Sequence, residues 1–152
     1  MGQQQLLLLV LSTVIVGLAT VAGIQAFSEN QAQATQDALV QRAINIGNDV
    51  LAAHNEPTQF GGVNLNATSN APDNSTVAEA AGYSTASGIE ADGAGDNADC
   101  SISASTGTDA TATVTCSSDG TGANSTSNQF VQVTVDPDGN PKVEATSINE
   151  SL

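Results

Sequence analysis

Cys100 and Cys116 are the residues whose type and spacing most directly support chemistry. Set opposite each other in an antiparallel hairpin, they pair Ile102 with Val114 and Ala104 with Ala112, so the apolar residues of the intervening SISASTGTDATATVT fall on one face. Thr106 and Ala110 then close a three-residue loop, Gly107-Thr108-Asp109, a hairpin length that favours glycine. A cross-strand disulfide fits this alternation, and closing a loop of about 15 residues contributes roughly 3 kcal/mol in the chain-entropy model. The alternatives are free thiols or a two-cysteine metal site. With a single histidine in the chain, His54, zinc would lack ligands.

Other chemistry is harder to assemble. His54 falls at an expected helix end, where an imidazole usually serves the exposed carbonyls, and no nucleophile and base can be named together around it. The expectation is a protein that is not an enzyme and has no cofactor. Asp92, Asp96, Asn97 and Asp99 cluster in a glycine-rich stretch, and Asp136, Asp138 and Asn140 alternate in a turn. Calcium prefers such oxygens, but the second cluster has Pro141 and Ser147 where an EF-hand loop needs glycine and glutamate. Acidic, turn-rich chains produce such clusters by chance, so no metal site is assigned. Asn66, Asn74, Asn124 and Asn149 each begin an Asn-x-Ser/Thr sequon. Composition alone accounts for sequons in a chain this rich in Asn, Ser and Thr.

The elements that position these residues start from residues 6–27, LLLLVLSTVIVGLATVAGIQAF, a run without charge. A helix of about 20 residues spans roughly 30 Å, the hydrocarbon thickness of a bilayer, and helix is the conformation that satisfies a lone apolar segment's backbone there. The start lacks the basic residues of a secretory signal, and its apolar run is longer than such signals carry. It also lacks the Ser or Thr of a myristoylation pattern, having Leu6 there. Ala19 and Gly23 have the small-xxx-small spacing that lets helices approach closely, and Gly17 and Gly23 are weak points in helix propensity.

The helical pattern continues past Phe27. Leu39, Ala43, Ile46 and Val50 form one stripe, and Val40, Ile44, Gly47 and Leu51 form a second beside it. Together they make a face broad enough to pack on a globular domain. His54-Asn55 is the expected end, before Pro57 and Gly61-Gly62. Residues 55–99 read as loops with short strands at most, one near residues 60–65, and a helical turn near Val77 to Ala81. QFVQVTV, from Gln129 to Val135, is the clearest strand, with Val131, Val133 and Val135 on one face. A three-residue loop at 138–140 pairs Val135 with Val143 and Val133 with Ala145, keeping the apolar faces in step. About four antiparallel strands are expected, their apolar face covering the helix, in an α+β fold.

Sixteen acidic residues against Arg42 and Lys142 give a formal charge of −14. Such a surface repels nucleic acid and anionic lipid and suits a high-salt habitat, where screening removes self-repulsion. Aromatic residues are only 3% of the chain, so its core is thin and a disulfide or oligomerisation is expected to support it.

A short leader ending in glycine, a continuous apolar helix and an amphipathic helical half entering a small β-rich domain resemble a type IV pilin or pilin-like subunit. The resemblance implies a leader at residues 1–2, an assembly and anchor helix at 3–27, the amphipathic half of that helix at 28–54, and a globular domain at 55–152. It implies cleavage by a prepilin peptidase after Gly2, leaving Gln3 first, and assembly through Leu6, Leu7, Val10, Val14, Gly17, Ala19, Gly23 and Phe27. The partners implied are copies of itself in a helical filament outside the cell, the assembly machinery, and the inner membrane before assembly; the task would be adhesion, motility or surface contact. The family usually has a Glu at the fifth mature position, where this chain has Leu7, and a Phe-like first residue, where it has Gln3. Gln3, Gln4 and Gln5 offer either amide hydrogen bonds between helices or contacts with lipid headgroups. A pseudopilin of a secretion system, or a single-pass anchored binding domain that never polymerises, are the other readings.

Overall fold

The computed structural model describes residues 2–67, 72–105, 110–119, 129–140 and 142–150, the last four of these by backbone alone. The expected loop at Gly107-Thr108-Asp109, Met1, Pro141 and Asn124 lie outside the described residues. The architecture is α+β: a long N-terminal helix, a short helix and a five-stranded antiparallel sheet. Helix α1 is assigned over Gly2–Asn55, and the chain divides into two compact units, Met1–Gln33 and Ala34–Leu152.

In the first unit the whole of the apolar run is helical, and its large side chains are exposed, from 50% at Val10 to 71% at Ile24. Its few hydroxyls turn back onto the helix. Ser12 Oγ donates to the Leu9 carbonyl at 3.0 Å, Thr13 Oγ1 to that of Val10 at 2.9 Å, and Thr20 Oγ1 to that of Gly17 at 2.8 Å. These bonds satisfy the hydroxyl donors within the segment, as an apolar surrounding requires.

In the second unit, the rest of α1 lies under the sheet. Leu39, Ala43, Ile46, Gly47, Val50 and Ala53 are buried, and Val40, Ile44 and Leu51 pack at the edges of the same core. Strands β1 (Ile89–Glu90), β2 (Asp99–Ala104), β3 (Ala112–Ser117), β4 (Gln129–Val135) and β5 (Val143–Glu150) lie in sequence order, each antiparallel to the next. One side chain in two points at the helix. The sheet contributes Cys100, Ile102, Val114, Cys116, Val131, Val133 and Val135 to that core, with intervening positions partly or fully exposed. Strand alternation thus meets helical periodicity across a single interface.

Gly47 sits at a close approach of the two layers. A β-carbon there would lie 3.2 Å from a γ-carbon of Val143 and 3.3 Å from γ-carbons of Val133 and Val135. Glycine is poor in helix interiors, so its place here follows from the close approach of the valines rather than from helix propensity.

Residues 60–65 are not a strand. Thr58–Phe60 is a 3₁₀ turn closed by Gly61 at φ 101°, and the chain beyond bonds to the end of α1 instead of to the sheet. Val63 N–H donates to the Ala53 carbonyl at 2.9 Å, and Leu65 N–H to His54 Nδ1 at 3.2 Å. Val63 and Leu65 are thereby seated in the core. The expected helical turn is a full short helix, α2 (Asn74–Ala80), which starts earlier because Asp73 caps it. The sheet has five strands where about four are expected, the extra one being β1, two residues long within the stretch read as loops with short strands at most; it pairs Ile89 with Cys100 and Glu90 with Asp99.

Candidate functional site

The feature that most constrains function is the apolar half of α1. Leu6, Leu7, Val10, Val14, Gly17, Ala19, Gly23 and Phe27 are distributed around a helix exposed over its full circumference. Nothing lies within 4 Å of an added β-carbon at Gly17 or Gly23, so both retain an open path for another helix backbone. Gln3, Gln4 and Gln5 are exposed in the first turns. Thirteen large hydrophobic residues of this segment are exposed, whereas Phe60, at 77%, is the one comparable residue among those described in the second unit. A continuous apolar surface of that extent marks a membrane or protein contact. By length and composition this helix can cross a membrane, a test that signal sequences pass as well.

The second unit holds the disulfide. Cys100 and Cys116 occupy directly opposed positions of β2 and β3, fully buried and bonded to each other. Ile102 faces Val114 and Ala104 faces Ala112 in the same register.

Among the described residues no group of three His, Cys, Asp or Glu side chains could hold a metal ion. Asp92 and Asp96 line an open hollow beside Gly93 and Gly95, where the small residues Ala91, Ala94 and Ala98 turn inward. Asp136 and Asp138 are engaged within the fold: Asp136 Oδ1 accepts from the Asp138 N–H at 3.0 Å, and Asp138 Oδ2 accepts from Asn66 Nδ2 at 2.7 Å. His54 holds the Leu65 N–H through Nδ1.

One constellation joins residues that no sequence motif links. Tyr83 Oη donates to Asp49 Oδ2 at 2.6 Å, the Arg42 guanidinium carbon lies 5.9 Å from the Tyr83 ring centroid, and Arg42 Nε donates to the Glu90 carbonyl at 3.1 Å. Burial pushes the Tyr83 phenol up to about 12, and the hydrogen bond and negative charge of Asp49 add to the shift, with Arg42 opposing it. The available signal was the seven-residue spacing of Arg42 and Asp49, which puts both on one helix side. Asp73, at the start of α2, is held below its usual carboxylate range by hydrogen bonds from the Thr76 hydroxyl, the Thr76 N–H and the Ser75 hydroxyl.

No protein-family model, curated protein or solved structure matches this chain. The pilin-like features are therefore architectural: a long N-terminal helix, apolar at its start, whose later residues pack on a small antiparallel sheet. A buried disulfide is typical of domains that mature in oxidising surroundings.

Proposed function

We propose that the chain is a structural subunit of an extracellular, type IV pilus-like filament, polymerising through residues 6–27 and serving adhesion, motility or surface contact. The observation that carries this reading is the fully exposed, uncharged apolar half of α1 attached to a domain with its own closed core. A single folded copy cannot leave that surface in water. A bundle of copies hides it in the filament, and the membrane hides it beforehand. Processing after Gly2 by a prepilin peptidase, with Gln3 as the first mature residue, belongs to the same proposal, as does a non-catalytic role.

A single-pass anchored binding domain is the second reading. It is favoured by the hydroxyls of Ser12, Thr13 and Thr20, which bond within their own helix and leave it compatible with lipid on every side. The two readings part on how the apolar helix is finally buried.

Shearing the cells, pelleting the released material and recording intact mass and negative-stain images separates them. Filaments containing a chain that starts at Gln3 support the first reading. Recovery solely from membranes, with Met1 or Gly2 retained, supports the second. Gly2→Leu is expected to abolish filaments, and normal filaments from that variant would remove the processing step.

A further inference from the structure

Four Asn-x-Ser/Thr sequons are indistinguishable by pattern, but the fold treats two of them very differently. Asn66 is spent on structure. Its Nδ2 donates to Asp138 Oδ2 at 2.7 Å, and its Oδ1 is enclosed. A sugar on that nitrogen would replace one of its two hydrogens and have to fit beside the Asp138 carboxylate, where the residues after α1 meet the β4–β5 turn. Asn124 lies outside the described residues, as do the side chain of Asn149 and the Thr68 hydroxyl that completes the Asn66 sequon.

Asn74 presents the opposite arrangement. It is exposed at the first position of α2, and its side chain uses only the oxygen: Oδ1 accepts the Ala104 N–H at 2.8 Å. Nδ2, the atom a glycan would occupy, has no hydrogen-bond partner among the described residues. A sugar carried there leaves the Ala104 contact intact, because the amide oxygen stays an acceptor after the nitrogen is substituted. The Thr76 hydroxyl that completes this sequon is exposed as well, held by Asp73 Oδ1 at 2.6 Å.

We propose that Asn74 is an N-glycosylation site of the mature protein and that Asn66 stays bare. The proposal rests on the exported placement of the second unit. The donor is an oligosaccharide linked through phosphate to a membrane lipid. A bond forms between Asn74 Nδ2 and C1 of the first sugar while the bond from C1 to the phosphate oxygen breaks. The lipid phosphate leaves with the electron pair, and the displaced amide proton passes to a base of the transferase. Freeing the Thr76 hydroxyl requires opening only the first turn of a seven-residue helix, a low-cost local event at an exposed terminus. Asn66 offers no such route, since reaching it breaks a contact that joins residues 72 apart in the chain.

The test is peptide and intact mass spectrometry on the full chain purified from the cells that make it, with cysteine oxidation and external protease accessibility recorded on the same material. The expected result is a saccharide mass on the peptide containing Asn74, lost completely in Asn74→Gln and kept in Thr76→Ser, with the Asn66 peptide unmodified. A bare Asn74 on an accessible chain with oxidised cysteines overturns the site while leaving export standing. A chain that is shielded and carries reduced cysteines overturns both. Modification of Asn66 in folded, oxidised protein overturns the distinction drawn between the two.

Discussion

Tyr83 and Asp49 are joined by a 2.6 Å hydrogen bond that ties the segment after α2 to the polar margin of α1. It is the phenol that donates, so the bond exists only while Tyr83 is protonated. The pKa of Tyr83 is raised from 10 in the free residue to about 12, which means the folded state holds that proton more tightly. Its stabilisation is complete below pH 10 and is lost as the pH rises from about 10 to about 12. Tyr83→Phe should lower stability at neutral pH by about 0.5–1 kcal/mol, a size set by partial exposure, and should flatten the alkaline end of the profile. Chemical denaturation of both proteins across that pH range checks it. An unchanged alkaline slope in the variant would assign the pH dependence to other groups.

Gly47 tests how tightly helix and sheet are fitted. Alanine would gain roughly 1 kcal/mol of helix propensity but would press three valine γ-carbons at once, each already at 3.2–3.3 Å from the added atom. The two effects oppose, so Gly47→Ala is expected to be near neutral or mildly destabilising. Gly47→Leu has no compensating term and should cost about 2–3 kcal/mol or more through overpacking. Thermal unfolding of the full chain in detergent gives both values. A leucine variant as stable as the parent would show that the helix can lift off the sheet without loss.

The contrast between Gly47 and Val63 shows which parts of the fold could be read in advance. Gly47 lies between Ala43 and Leu51 on a face with unbroken helical period, and the register of Val135 with Val143 follows from keeping apolar residues on one side of a sheet. Both are properties of regular repeats. Val63, Leu65, Ala91, Ala94 and Ala98 are equally buried, yet they sit singly among Asn, Gly and Asp with neither period. Val63 and Leu65 are seated by N–H bonds back to Ala53 and His54 at the end of α1, and Ala91, Ala94 and Ala98 by turn bonds among residues 91–98, none of which an apolar period encodes. The missed start of α2 had a local sign: Asp73 three residues before Thr76, an N-cap position. In the proposed assembly segment the sequence displays the apolar run and its small residues, while the choice of partner depends on a second copy or on lipid.

Removing the disulfide should cost the domain about 3 kcal/mol, since Cys100 and Cys116 are 16 residues apart and close a loop of ordinary length. Both sulfurs are fully buried, so the paired Cys100→Ala and Cys116→Ala variant also loses packing against the core. Reductant alone is expected to lower the unfolding midpoint without abolishing the sheet, because β2 and β3 are each paired on both sides. Denaturant titration with and without reductant supplies the difference. Equal midpoints would place the bond outside the stability of the domain.

The net charge gives the last expectation. All sixteen acidic residues and both basic ones follow residue 28, so the whole of the −14 falls beyond the apolar half of α1. Screening shortens the range of this repulsion from about 10 Å at 0.1 M salt to about 3 Å at 1 M. The unfolding midpoint should therefore rise steeply up to about 1 M and more slowly beyond it, where screening has little left to remove. Asp92→Asn combined with Asp96→Asn removes two charges from an open hollow without touching the core, and should raise stability at low salt while leaving the high-salt value almost unchanged. A variant stabilised equally at both salt concentrations would mean that the gain is local to the β1–β2 turn. A salt response that keeps the same slope past 1 M would point to ions acting on apolar burial instead of on charge.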